Sequence, residues 1–254
     1  MQIDGNTILI TGGGSGIGRA LAEALHTRGN RIIVAGRRTE PLAALCDGRD
    51  GLDWIELDVA DPESIAAAAA TLARDHPAMN VVVHNAGIMQ AEDMTADSYD
   101  LTSAEATIAT NLLGPIRLTA ALLPQLKAQD HATIMTVSSG LASLPLVYTP
   151  TYCATKAAIH SWSQSLRTQL EPCGIDVIEL VPPQVATDLM PGQAEDPNAM
   201  PLDAFIDEVM ALIEANPTGP EILVEKVKLL RNAEAEGRYD KTFAMLNGNH
   251  RLAG

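Results

Sequence analysis

Thr7-Ile8-Leu9-Ile10-Thr11-Gly12-Gly13-Gly14-Ser15-Gly16-Ile17-Gly18-Arg19 decides how this chain folds. Thr7 to Ile10 is a short apolar run of strand type that leads directly into a glycine-rich turn. From Arg19 to Thr27 the spacing becomes helical, with Leu21, Leu25 and several alanines, until Gly29-Asn30 stops it. Gly12, Gly16 and Gly18 therefore sit between a strand and a helix. In that position glycines allow a tight turn, close backbone approach to a pyrophosphate and close packing of helix on sheet. The helix start adds unpaired N–H donors and the positive end of a dipole. Ser15 and Ile17 lie in the same turn, so they join the three glycines as candidate cofactor contacts.

Outward from this turn the pattern repeats. Arg31 to Ala35, Trp54 to Val59, Asn80 to His84, His131 to Val137 and Gly174 to Val181 read as strands, and Asp61-Pro62-Glu63 reads as a helix start. Strands alternating with helices imply parallel crossovers covered on both faces. The expectation is an α/β fold: a Rossmann-type doubly wound parallel sheet forming one domain over residues 1–254. Length and a hydrophobic content of 46% suit such a domain. Lys+Arg 17 against Asp+Glu 32 gives a net charge of −15, a field that repels phosphate backbones. Nucleic acid and membrane insertion are therefore not expected, and an anionic cofactor needs its own basic site. Three cysteines without a C-x-x-C pair, and a start lacking a signal-peptide pattern, point to a cytoplasmic location. No metal site is expected.

Two further stretches carry chemistry. The second strand ends in Gly36-Arg37-Arg38, where a fold that prefers NAD(H) usually carries an acid for the ribose 2′-hydroxyl. Guanidinium forks suit a 2′-phosphate, so Arg37 and Arg38 favour NADP(H) over NAD(H). Downstream, Tyr152 and Lys156 are four apart and share a face if the segment is helical. An ammonium beside the phenol would lower its pKa from about 10 and make it a usable acid or base.

With these residues in place the chain resembles the short-chain dehydrogenases/reductases along most of its length. T-G-G-G-S-G-I-G at 11–18 is similar to that family's cofactor turn, and Asp58-Val59 to its adenine-contacting pair. Asn85-Ala86-Gly87 resembles the end of its N-N-A-G motif, and Asn111 its helix asparagine. Ser139 stands the family's 13 positions before Tyr152. V-P-P-Q-V-A-T at 181–187, with Pro182, Val185 and Thr187, resembles the segment beside the nicotinamide. Runs such as S-G-L-A at 139–142 and Y-C-A-T-K-A-A at 152–158 look most like a bacterial subgroup. That subgroup includes an oxidoreductase encoded beside lipoteichoic-acid D-alanylation genes.

The resemblance implies roles. Asn111, Ser139, Tyr152 and Lys156 would form a catalytic tetrad for hydride transfer between NADP(H) and a carbonyl/alcohol pair. Tyr152 would move the proton, Ser139 hold the carbonyl oxygen, Lys156 also bind the nicotinamide ribose, and Asn111 position a water. The other reading is a nucleotide sensor or scaffold that keeps the fold with little turnover.

The chain also departs from the family pattern. His84 replaces the first asparagine of N-N-A-G and is expected to be structural. Pro183 replaces a glycine and stiffens the chain beside the nicotinamide. Residues 188–215 begin with an aperiodic, proline-rich stretch that reads as a lid over the substrate. Leu141, Leu144, Leu146, Val147 and Tyr148 are candidates for an apolar pocket, which suits a small neutral or hydrophobic carbonyl or alcohol. After a last strand at Glu221 to Val224, residues 228–248 read as a helical tail in place of the usual closing strand. Relatives commonly dimerise through the helices carrying Asn111 and Tyr152, so a homodimer is expected, with a tetramer the alternative.

Overall fold

The computed structural model describes residues 1–248; residues 249–254, the end of the expected domain, lie outside the described residues. Seven strands form one parallel sheet: β1 (Thr7–Thr11), β2 (Arg31–Gly36), β3 (Leu52–Glu56), β4 (Val81–His84), β5 (Ala132–Val137), β6 (Ile175–Val181) and β7 (Glu221–Leu223). Their spatial order is β3-β2-β1-β4-β5-β6-β7, and every adjacent pair is parallel. The order reverses between β1 and β4, which opens a crevice at their carboxyl ends where open α/β sheets bind ligands.

Because side chains alternate across a strand, each strand feeds two cores. Ile8 and Ile10 face one side with Val34, Val83 and Val137, under α1 (Gly16–Thr27), α2 (Thr39–Cys46) and α7 (Leu202–Ala215). Leu9 faces the other with Ile33, Val82 and Ile134, under α3 (Pro62–Asp75), α5 (Gly114–Lys127) and α6 (Pro150–Leu170). This two-sided burial is why the strands read as continuous apolar runs. Asp61 caps α3 by accepting from the Glu63 N–H at 3.0 Å, with Pro62 in the first turn.

α4 (Thr102–Ile108) continues through a π-helical turn at Ala109–Leu113 into α5. The whole stretch Thr102–Lys127 is long and apolar enough to cross a membrane, yet Leu118, Leu122 and Leu126 sit in the sheet core, as in a packed α/β helix.

Most strand ends shift by one residue from the sequence reading, and the third strand shifts further. β3 ends at Glu56 because the chain turns at Asp58, whose Oδ1 accepts from the Ala60 N–H at 2.9 Å. The helical tail is made of two helices, α8 (Lys228–Arg231) and α9 (Tyr239–Asn247), separated by turns that end near Gly237, whose φ of +66° no right-handed helix permits.

Candidate active site

The crevice is built first by its glycines. Gly12 and Gly16 have φ of +67° and +52°, the left-handed region that favours glycine. The Gly12 N–H donates to Ala35 O at 2.7 Å, bending the loop back over β2. Gly13 and Gly18 serve packing. A Cβ on Gly13 would lie 2.7 Å from Val34, and one on Gly18 2.4 Å from both Asn85 Nδ2 and Gly12 O. Gly18 is thus buried beneath the crevice and does not line it. Ser15 opens α1 without using its side chain as a cap, so its hydroxyl remains available to the crevice. Thr11, which the sequence reading passed over, ties the two walls together: its Oγ1 accepts from the Asn85 and Ala86 N–H groups at 3.1 and 3.0 Å. Asn85 Nδ2 donates to Thr11 O at 2.9 Å.

The main crevice encloses about 550 Å³ and runs from Gly12, Ser15, Gly16 and Ile17 past Ala86 and Gly87 to Tyr152, Lys156, Pro182, Val185 and Thr187. A side chamber of about 180 Å³ adjoins it, lined by Arg37, Arg38, Asp58 and Val59. Both arginines are exposed and, among the described residues, make no ion pair, which leaves their guanidiniums free for an anion. Pro41, Leu42 and Ile88 also line these chambers; nothing in their residue types distinguished them in the sequence.

α6 places Tyr152 and Lys156 on one row, with Nζ 5.5 Å from the phenol ring centre. Both are buried, and the Lys156 ammonium donates to Val137 O at 2.8 Å. Burial brings the Lys156 pKa down to about 8. Burial also pushes the Tyr152 hydroxyl well above its ordinary range, with Ser139, hydrogen-bonded to it, pulling the other way. This corrects the expectation of a phenol made acidic by Lys156: desolvation outweighs the ammonium, which is engaged with the strand. Tyr152 therefore holds its proton and is set up as an acid. Ser139 also caps the turn after β5, its Oγ accepting from the Leu141 N–H at 3.1 Å. Ser138, its neighbour, is buried and its hydroxyl finds no hydrogen-bond partner among the described residues.

Asn111 lies in the π-helical turn, beneath the site and outside the crevice wall. Its amide pairs with the backbone of Ile88, accepting from N–H and donating to C=O, both at 2.9 Å. It thereby fixes the loop after β4, and a Cβ on the intervening Gly87 would sit 3.4 Å from Asn111 Oδ1 and 3.7 Å from Lys156 Nζ. His84 is buried, hydrogen-bonded to Thr119 Oγ1 at 2.8 Å, and brought down to a pKa of about 3 by burial, so it is neutral.

Beyond Ser139 and Tyr152 opens a cavity of about 430 Å³. Of the residues expected to line it, Leu141, Leu146 and Tyr148 do; Leu144 is in the core, and Val147 points outward. Pro183, Leu189 and Met190 form the cover, and Leu230 and Leu246 bring the C-terminal segment into the wall. Among the described residues, Asp196 is the one charged residue around it, and the lining they form contains no cation. The cover is pinned: Gln193 Nε2 donates to Val185 O at 2.8 Å, and the Ala186 N–H donates to Met200 O at 2.8 Å.

A parallel sheet with a glycine crevice at its switch point, and a Ser/Tyr/Lys group at the crevice's end, defines a nucleotide-dependent α/β oxidoreductase architecture. The chain belongs to the short chain dehydrogenase family, which it matches over residues 6–198. It is 36% identical over 250 residues to the "Uncharacterized oxidoreductase DltE" of Bacillus subtilis, covering 97% of this chain and 98% of the relative. That likeness falls on the bacterial branch its motifs resemble. Among solved structures, a short-chain dehydrogenase from Burkholderia cenocepacia in complex with NADP has a TM-score of 0.81 at 25% identity, covering 97% of this chain and 99% of that one. One from Sphingobium yanoikuyae in complex with NADPH has a TM-score of 0.77 at 26% identity, covering 98% of both chains.

Proposed function

We propose that this protein is an NADP(H)-dependent oxidoreductase that interconverts a small apolar carbonyl compound and its alcohol. The observation that carries this reading is the continuity of the crevice. One groove joins a glycine turn and two arginines without an ion pair among the described residues to the buried Ser139, Tyr152 and Lys156 group, and from there opens into a mostly apolar cavity whose charged lining residue is Asp196. The residues fit the cofactor: the glycine backbone leaves room for a pyrophosphate, and Arg37 and Arg38 for the 2′-phosphate. The solved relatives in complex with NADP and NADPH support the same choice.

When held there by the glycine turn and the two arginines, NADPH would supply the hydride for reduction of a carbonyl carbon. Ser139 donates a hydrogen bond to the carbonyl oxygen, stabilising charge as it develops. Tyr152 gives that oxygen its proton, which burial has kept on the phenol at neutral pH. Lys156 holds the ribose hydroxyls and places positive charge beside the phenol as it loses its proton. Asn111 fixes the loop through Ile88 and keeps Gly87 against Lys156. In this reading Gly12, Ser15, Gly16, Ile17, Asp58, Val59, Asn85, Ala86, Gly87, Pro182, Val185 and Thr187 contact the cofactor, while Gly18 supports the turn from below.

Residues 188–215 act as the lid: the pinned loop covers the cavity and α7, buried on α1 through Phe205 and Val209, anchors it. The cavity's lining favours neutral, hydrophobic aldehydes, ketones or secondary alcohols over acids and phosphates. A homodimer is supported by an apolar surface where Met94 and Leu101, ahead of α4, and Ile108, at its end, are exposed around a cleft with Pro150 and Ala154 of α6. The three free thiols suit a cytoplasmic setting.

The test is NADPH oxidation across a panel of neutral carbonyl compounds, followed by absorbance, with Tyr152→Phe as the control. The wild type should turn over at least one member, and the variant should lose roughly 10²–10⁴-fold in kcat while still binding NADPH. Unchanged turnover in Tyr152→Phe would refute the mechanism, and NADPH binding without turnover of any carbonyl would favour the sensor reading.

A further inference from the structure

Behind the site, on the side of Lys156 away from the crevice, lies a buried carboxylate that the mechanism above does not use. Glu179 is on β6, directly paired with Thr136 of β5, so both side chains face α6. It is only 1% exposed. One of its oxygens meets His160 Nδ1 at 2.8 Å, whereas the other, Oε1, has no hydrogen-bond partner among the described residues. His160 is one helical turn beyond Lys156 on α6, in the row Tyr152, Lys156, His160, Gln164. Gln164 continues that row outward, its Nε2 3.0 Å from His160 Nε2. Lys156 itself reaches Val137 O, one residue along β5 from Thr136.

We propose that Glu179, held in place by His160, is a positioning residue for the reaction, its buried carboxylate being the counter-charge that keeps the Lys156 ammonium protonated. A desolvated carboxylate with an unpartnered oxygen is costly, and interaction with the Lys156 ammonium, one helical turn from His160, offsets that cost. The electrostatics agree. Burial lowers the Lys156 pKa, and Glu179 is the group that pulls it back up. The Tyr152 hydroxyl responds instead to burial, Ser139 and Cys153, so the effect falls on the lysine alone. Among the described residues, the charged or titratable groups facing Glu179 are Lys156 and His160 on α6 and Glu221 on β7, itself paired with Arg231 of α8, while β5 presents the neutral Thr136. His160, Glu179 and Glu221 offer donor atoms within 4.8 Å of one another. However, Arg231 already bonds both Glu221 oxygens at 2.8 and 3.1 Å, which sets a cation against the place a metal ion would take.

This inference rests on the proposed NADP(H) site, and a binding experiment separates the two. The NADPH dissociation constant is measured by fluorescence titration from pH 6 to 10 for the wild type, Glu179→Gln, His160→Asn and the double variant. Affinity in the wild type should fall above about pH 8, as Lys156 loses its proton. In Glu179→Gln that fall should begin about one pH unit lower. His160→Asn should move it in the same direction, because the Glu179 carboxylate loses the donor that fixes it against the helix carrying Lys156. The double variant should shift no further than Glu179→Gln alone. If Glu179→Gln does not fold, the half-buried His160→Asn carries the same test. An alkaline limb that stays in place, or single shifts that add in the double variant, overturns the proposal while leaving the cofactor site intact. A wild type that binds no NADPH overturns the proposed function and this inference with it.

Discussion

Replacing Arg37 and Arg38 together by alanine isolates the basis of cofactor choice. Two features of the structure set the magnitude. Both side chains are exposed, so each guanidinium acts through a high-dielectric environment, where a contact pair at ~4 Å is worth between about 1 kcal/mol in water and 4 kcal/mol near a protein surface. Neither forms an ion pair among the described residues, so no internal partner is lost with it. Taking the lower end, at about 1–1.5 kcal/mol each, the pair contributes roughly 2–3 kcal/mol, or about 30–150-fold in Kd. NADH lacks the 2′-phosphate and should weaken by less than about threefold. Fluorescence titration of both cofactors on both proteins measures the ratio. Raising salt should narrow the wild-type preference, because exposed charges are screened over about 8 Å at physiological ionic strength. Equal losses for NADPH and NADH, or a preference indifferent to salt, would refute the 2′-phosphate role.

Gly18→Ala should destabilise the protein by about 1–3 kcal/mol through overpacking, because its Cβ would meet Asn85 Nδ2 and Gly12 O at 2.4 Å. Thermal melting should register this as a fall of several degrees, roughly 2–4 °C per kcal/mol at this size. Ile108→Glu should turn the proposed homodimer into a monomer, since a carboxylate placed on an exposed apolar face would have to be desolvated on association. Sedimentation velocity reads this directly, and an unchanged sedimentation coefficient would place the interface elsewhere.

Much of the fold was legible because it depends on local signals. The alternation of apolar runs with helical spacing marks both cores, and the glycine turn marks the crevice between β1 and α1. The misreadings also have local causes. Asp58 was taken into the third strand because Leu57 and Val59 continue its apolar pattern, whereas the Asp58 carboxylate turns the chain instead. The helical reading of residues 228–248 could not show the break between its two helices, because Gly237 is a single residue in a mixed apolar and charged stretch. Thr11 has no distinctive spacing, yet it ties β1 to the Asn85 turn; only the strand order brings the two together.

The residue types and spacings of this chain alone determined the doubly wound sheet, the glycine crevice and the row of Tyr152 and Lys156, because each follows from periodicity along the backbone. The protonation of that row was decided only by the tertiary structure. Burial holds the proton on Tyr152 and draws Lys156 down to about 8. Glu179, 23 residues further along the chain from Lys156, comes to lie behind it because β6 pairs with β5. Desolvation and charges from distant segments exist only once the chain is packed, so no spacing in the sequence encodes them.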